Sequence, residues 1–284
     1  MANIIQNIPE ITLNDGLTLP AIGFGTYLLN GAAGVNAILS AVSAGYRLLD
    51  SVFNYENEGA VGEAVRRSSV PREQMLIASK LPGRHQAYKE AVATIQESLF
   101  RAHLDYYDLY LIHWPNPGRN LYVEAWQALI TARQWGLVRS IGVCNFLPEH
   151  IERLIRKTGV TPSVNQIELY PLFAQKSQLQ WHREHGIVTE AWSPLGRKSK
   201  ALFQNQTILD IAARHGKTLS QVILRWHTQR GAVPIPKSTT PGRQIENISI
   251  FDFTLSEEEL AAITALSRPD GRTSDQDPAV YEEF

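Results

Sequence analysis

The stretch "MLIASKLPGRHQAYKEAVATIQESLFRAHLDYYDLYLIHW", residues 75–114, holds two apolar runs, MLIASK and YDLYLIHW, on either side of a long amphipathic segment. Each run has the length of a buried strand. Between them, YKEAVATIQESLFRAHL spaces its apolar residues three and four apart, as a helix lying with one face on a sheet does. A strand, a helix and a second strand in this order make a parallel crossover unit. The pattern extends in both directions. Upstream lie AIGFGT (21–26) and YRLLDS (46–51), and downstream SIGVCN (140–145), SVNQIEL (163–169), IVTEAW (187–192) and AVPIPKS (232–238), which makes eight runs in all. YVEAWQALITARQW (122–135) is another segment of helical spacing between them. With no Pro/Gly-rich linker or composition shift between units, the reading is an α/β fold, a closed (β/α)8 TIM barrel, as one domain over residues 1–284.

Additions flank the eight units. ITLNDGLTLP (11–20) is two short alternating runs around Asp15-Gly16, a hairpin signal. LSEEELAAITAL (255–266) carries a capping-box spacing at Ser256 and Glu259 and is surplus to the eight. The segment 268–284 is polar and turn-rich, and is expected to run over the barrel surface across one mouth.

Composition sets the class of ligand. The 284 residues are 44% hydrophobic, with 27 basic against 28 acidic side chains, which argues against nucleic acid or an anionic membrane as partner. A small molecule is the expected ligand, bound by a monomer. The single cysteine, Cys144, excludes an internal disulfide framework and leaves too few thiolates for a zinc site, and no run reaches the roughly 20 apolar residues of a membrane helix. A reducing, cytoplasmic location is expected.

Barrels of this kind carry their chemistry at the C-terminal ends of the strands. Here the runs end in Asp50, Lys80, His113 and Asn145, with Gln166 and Glu168 in the sixth and Lys237 closing the eighth. Any one could be a strand end meeting water. Three successive strands ending in Asp, Lys and His call for another reason, because a buried ion pair is a poor stabilising device. Tyr55, five residues beyond Asp50, can fold back over the strand ends. The expectation is that Asp50 holds Lys80, that the ammonium favours the phenolate of Tyr55 and so makes its hydroxyl a better proton donor, and that His113 bonds the oxygen being protonated.

The stretches GYRLLDS, NYENE, LIASK, YDLYLIHWP, IGVCNF, NQIELYP, AWSPLG and IPKSTTPGR together resemble the aldo-keto reductase superfamily over nearly the whole chain, in a pattern similar to its bacterial 2,5-diketo-D-gluconate reductase-like members. The resemblance implies an NADPH-dependent (NADP+-forming) reductase of aldehydes or ketones, sugar ketoacids and methylglyoxal among them, with Asp50, Tyr55, Lys80 and His113 as catalytic tetrad. It also implies that Gly25, Thr26, Cys144, Asn145, Gln166, Trp192, Ser193, Leu195 and Gly196 contact the cofactor around the nicotinamide and pyrophosphate. Lys237, Ser238, Thr239, Arg243, Glu246 and Asn247 fall on the adenosine 2'-phosphate and adenine site, and Tyr27, Phe53 and Trp114 on the substrate site. Two positions depart from the family pattern: Cys144 where Ser is usual and Trp192 where Tyr is usual. Charge supports the cofactor choice, since a Lys and an Arg fork suit a dianionic phosphate.

Other signals point elsewhere. GFGTY (23–27) lacks the third glycine of a dinucleotide fingerprint, and HGKT (215–218) lacks the upstream glycine of a phosphate loop. His182 and His185 have no third metal ligand in reach of the pattern, so no metal is expected. Two other functions stand against the reductase: a barrel glycoside hydrolase using Glu168 and Glu190, and an NADPH-holding sensor without turnover. A hydrolase has no use for Lys237 and Arg243, and a sensor has none for an intact tetrad.

Overall fold

The computed structural model describes residues 7–284. The chain opens with the hairpin, β1 (Glu10–Thr12) paired antiparallel to β2 (Thr18–Pro20), with Gly16 at φ +91° in the turn. The hairpin is a plug. Leu13 and Leu19 pack with Leu48, Leu109, Val164 and Val233 inside the barrel, while Ser140 donates to Asp15 Oδ2 (2.6 Å) and Asn14 Nδ2 to the Pro162 carbonyl (3.0 Å).

Strands and helices then alternate: β3 (Phe24–Gly25), α1 (Gly31–Ala44), β4 (Leu48–Asp50), α2 (Glu58–Arg67), β5 (Leu76–Leu81), α3 (Tyr88–Ala102), β6 (Tyr107–Ile112), α4 (Tyr122–Gln134), β7 (Val138–Cys144), α5 (Pro148–Thr158), β8 (Val164–Glu168), α6 (Lys176–Glu184) and β9 (Val188–Trp192). Three helices, α7 (Lys200–Phe203), α8 (Gln206–His215) and α9 (Leu219–Gln229), precede β10 (Ala232–Pro234), and α10 (Pro241–Ile248) and α11 (Glu257–Thr264) follow it. The eight strands β3 to β10 lie in chain order and each pairs in parallel with the next. α3 buries the stripe its spacing predicts, Ala91, Thr94, Ile95, Ser98, Leu99 and Ala102.

Closure of the ring is unlike the other seven seams. Gly23 N–H donates to the Pro234 carbonyl and Gly25 N–H to the Pro236 carbonyl, each at 3.0 Å. Neither proline has an N–H to return, so bonds across this seam run in one direction only. Ile235, between them, faces the other way and donates to Ala191 in β9 at 3.0 Å. The seam is also tight. A Cβ on residue 23 would lie 2.6 Å from Ile235 Cδ1 and 3.0 Å from Leu48 Cδ2, so both side chains would have to shift to admit one.

The surplus helix starts as its sequence predicts, with Ser256 Oγ accepting from Glu259 N–H (3.2 Å) and Glu259 Oε2 accepting from Ser256 N–H (3.0 Å). Residues 268–284 then cross the barrel at its C-terminal mouth. Arg268 N–H bonds the Leu172 carbonyl (2.9 Å), Thr273 reaches Glu168, and Tyr281 lies against Trp114.

Candidate active site

A cleft of about 490 Å³ opens at this mouth, walled by the strand ends and the crossing segment. Its floor is an ion pair. Lys80, 1% exposed, donates to both carboxylate oxygens of Asp50 (2.7 and 2.8 Å) and to the Ser51 carbonyl (3.0 Å). The backbone beneath is fixed as well, because Thr26 gives both its N–H (3.0 Å) and its hydroxyl (2.9 Å) to the Asp50 carbonyl.

Tyr55 lies on a single turn of 3-10 helix just after β4, on the cleft wall, its ring 5.0 Å from that of Tyr27. The electrostatics differ from the sequence expectation. Burial first, then the negative charge of Asp50, with smaller contributions from Cys144, Tyr27 and Glu283, push the Tyr55 hydroxyl above the ordinary phenol range rather than toward phenolate. Lys80, whose three N–H donors point at Asp50 and Ser51, does not offset these effects. At neutral pH burial therefore keeps the Tyr55 hydroxyl protonated.

His113 directly follows β6 on the same wall, its carbonyl bonded by Asn145 Nδ2 (3.0 Å). Asn145 also reaches Cys144 Sγ (3.1 Å), and its Oδ1 accepts the indole N–H of Trp192 (2.7 Å). Trp192 therefore ties β9 to the end of β7 through a ring N–H. Asn145 and Ser193 both sit in the left-handed region, at φ +63° and +49°, a cost tolerated where the surrounding structure over-determines it.

Below the pair lies a second carboxylate. Gln166 Nε2 donates to Asp50 Oδ1 (3.0 Å) and to Glu190 Oε2 (2.8 Å), so both amide hydrogens are spent and its carbonyl oxygen remains as an acceptor. Glu190 is 1% exposed, its Oε1 has no partner among the described residues, and burial, with Asp50 adding to it, pushes its carboxyl up to about 7.

The loop after β10 completes the cleft. Lys237 lines its edge, and Arg243 stands exposed in the first turn of α10, behind Pro241 at the helix start. Among the described residues neither has an acidic partner within 4 Å, which leaves two cations and a helix N-terminus for an anion. Ser238 shapes the loop, accepting from Thr240 N–H (3.1 Å), while Gln244 Nε2 holds the Ser238 carbonyl (2.9 Å). Glu246 Oε1 accepts the Thr218 hydroxyl (2.8 Å), and Asn247 is buried. Thr239 is exposed.

Of the residues singled out in the sequence, Gly25, Thr26, Tyr27, Asp50, Tyr55, His113, Trp114, Cys144, Asn145, Gln166, Trp192, Ser193, Leu195 and Lys237 line this one cleft. Gly196 sits just behind, at φ +54°, where a Cβ would strike the Tyr170 ring at 2.6 Å. Phe53 is not on the wall; it is buried, with the guanidinium of Arg101 4.0 Å from its ring centre. Glu168 and Glu190 do not form an acid pair in the cleft either, because Thr273 holds Glu168 by its N–H (2.7 Å) and hydroxyl (2.5 Å) while Glu190 is sealed in the barrel. His182 is buried between Asn165 (2.9 Å) and Thr189 (2.8 Å), while His185 stacks on Trp181 at 3.9 Å, so the two do not share a ligand site.

Sequence reasoning missed the contribution of the crossing segment. Gln276, Tyr281 and Glu283 line the cleft, and Glu283 Oε1 lies 2.5 Å from His113 Nδ1. No local signal in DPAVYEEF could have shown this, since the contact spans 170 residues.

Comparison with known proteins agrees with the geometry. A model of the Aldo/keto reductase family matches residues 21–268. The chain is 51% identical to 2,5-diketo-D-gluconic acid reductase B of Corynebacterium sp., over 99% of this chain and 100% of that protein, and 44% identical to methylglyoxal reductase DkgA of Escherichia coli K12, over 96% and 98%. Among solved structures, a point mutant of Gox0644 in complex with NADPH superposes with TM-score 0.92 at 38% identity, covering 98% of this chain and all of that one. An aldo/keto reductase from Brucella melitensis gives TM-score 0.88 at 44% identity, over 92% of this chain and all of that one. By a family match over most of its length and by identities well above the level at which folds alone are shared, this chain belongs to the Aldo/keto reductase family.

Proposed function

We propose that this protein reduces a small aldehyde or ketone, dicarbonyls included, at the expense of NADPH. The observation that carries the reading is one cleft in which the buried Asp50–Lys80 pair, Tyr55 and His113 meet beside the amides of Gln166 and Asn145, with Lys237 and Arg243 at its far edge. These residues fit the cofactor. The Gln166 carbonyl oxygen is left as an acceptor for a carboxamide, Trp192 offers a ring on the wall, and Lys237 and Arg243 suit a phosphate dianion.

When bound, NADPH supplies the hydride. The protein's own task is the carbonyl oxygen. Tyr55, held protonated by burial, gives up its proton only when negative charge has built up on that oxygen, since an alkoxide is more basic even than a raised phenol. Lys80 supplies the counter-charge to Asp50 beneath the site, and His113 orients the oxygen. One barrel carries every part, so a single chain suffices.

The relatives' substrates point to the same class: a sugar diketo acid in one case, methylglyoxal in the other. Tyr55→Phe tests the reading. NADPH oxidation with methylglyoxal, followed at 340 nm, is expected to fall about 10²- to 10⁴-fold, the worth of a positioned acid, with NADPH binding unchanged. Wild-type turnover in the variant would remove Tyr55 from the role. A wild-type chain that binds NADPH and reduces no carbonyl in a broad panel would favour the sensor.

A further inference from the structure

Residues 281–283 dock into a receptor made by the loops that leave β5 and β6. Glu283 N–H donates to Asn116 Oδ1 (3.0 Å), and Asn116 Nδ2 returns a bond to the Glu283 carbonyl (2.7 Å), a two-way clasp that imitates a strand pair. Asn116 is fully buried and holds φ +45° to do this. Gly83 N–H donates to Glu283 Oε2 (2.8 Å). Only glycine fits at 83, because a Cβ there would lie 2.4 Å from Asn116 Nδ2 and 2.6 Å from the Glu283 carbonyl oxygen. Tyr281 packs on Trp114 with ring centres 4.5 Å apart, and Glu282 Oε1 accepts from Gly118 N–H (2.6 Å).

The clasp delivers a carboxylate to His113. Glu283 Oε1 takes Asn54 Nδ2–H (2.9 Å) and lies 2.5 Å from His113 Nδ1. Burial works against its charge, but His113, with the bonds from Gly83 and Asn54, outweighs burial and holds the carboxyl below its usual range. An ionised carboxylate only accepts. His113 Nδ1 is therefore the donor, and Nε2 is the nitrogen left for a carbonyl oxygen. With one proton committed to Nδ1, Nε2 donates to a carbonyl oxygen only when the ring carries two.

We propose that Glu283 is a positioning residue for carbonyl reduction: docked by the Gly83–Asn116 receptor, its carboxylate accepts from His113 Nδ1–H and so fixes the ring with Nε2 left to meet the carbonyl oxygen. The inference rests on the reductase reading above for its catalytic consequence and on the His113–Glu283 contact alone for its structural part. It makes the segment after α11 a working part of the site, one that reaches the chemistry through His113.

The Glu283→Gln protein tests it, with Glu282→Gln as the control that removes the neighbouring charge without touching His113. Turnover of methylglyoxal is expected to fall about 10- to 100-fold in kcat for Glu283→Gln, the worth of a charge-assisted hydrogen bond, with the NADPH dissociation constant unchanged. The downfield Nδ1–H proton resonance of the His113 ring, assigned by its absence in His113→Asn, is expected in the wild type and in Glu282→Gln but not at that position in Glu283→Gln. Wild-type kcat and an unmoved ring proton in Glu283→Gln would overturn the proposal, as would equal losses in both variants. If the wild type reduces no carbonyl, the reductase reading fails, while the ring-proton comparison still decides whether Glu283 holds His113.

Discussion

Replacing Asp50 by Asn strips the charge from one partner of an ion pair whose side chains are 7% and 1% exposed. The ammonium of Lys80 is then left in the barrel floor with the Ser51 carbonyl at 3.0 Å and a neutral amide in place of two oxygens at 2.7 and 2.8 Å. Breaking a buried pair on one side costs roughly 3–5 kcal/mol, because the remaining charge has lost its solvent and its counter-charge together. At roughly 2–4 °C per kcal/mol for chains of this general size, Tm drops by roughly 6–20 °C. The double variant Asp50→Asn/Lys80→Met removes the orphaned charge as well, and is expected to recover most of the loss. Urea unfolding followed by circular dichroism, without NADPH so that ligand binding adds nothing to the folded state, measures the wild type, both single variants and the double variant in one cycle. A cost below about 1 kcal/mol for Asp50→Asn, or a double variant as unstable as the sum of the two single changes, would show that the pair is solvated and the reasoning wrong.

Lys237→Ala and Arg243→Ala are each expected to weaken NADPH roughly 10- to 100-fold while changing NADH little, since only NADPH brings the 2'-phosphate; fluorescence titration with both cofactors measures the ratio, and equal losses would reject the assignment. Glu190, with its carboxyl raised to about 7 in the folded protein against about 4.3 in an unfolded chain, binds more protons folded than unfolded between those values. Its destabilising effect is therefore absent below pH about 4, grows as pH rises through that window and is complete above pH about 7. Glu190→Gln is expected to gain stability relative to wild type between pH 5 and 8, up to roughly 3 kcal/mol, and a difference independent of pH in urea melts would contradict the buried, unpaired carboxylate.

The sequence alone determined the barrel and most of the cleft. Eight apolar runs alternating with helical spacing leave little choice of architecture, and the residues that close those runs converge because parallel strands in a closed ring all end on one face. Asp50, Lys80, His113, Asn145 and Gln166 were legible for that reason: each is placed by its own strand. What only the tertiary structure decided depends on contacts between distant parts of the chain. Pro234 and Pro236 make the closing seam one-directional, Lys80 bonds Asp50 while burial leaves Tyr55 a raised phenol, and Phe53 turns from the cleft toward Arg101. Glu283 shows the limit most plainly. Its partners Gly83, Asn116 and His113 stand 167 to 200 residues away and share no periodicity with it, so the docking of a carboxylate on His113 becomes visible only when the chain is folded.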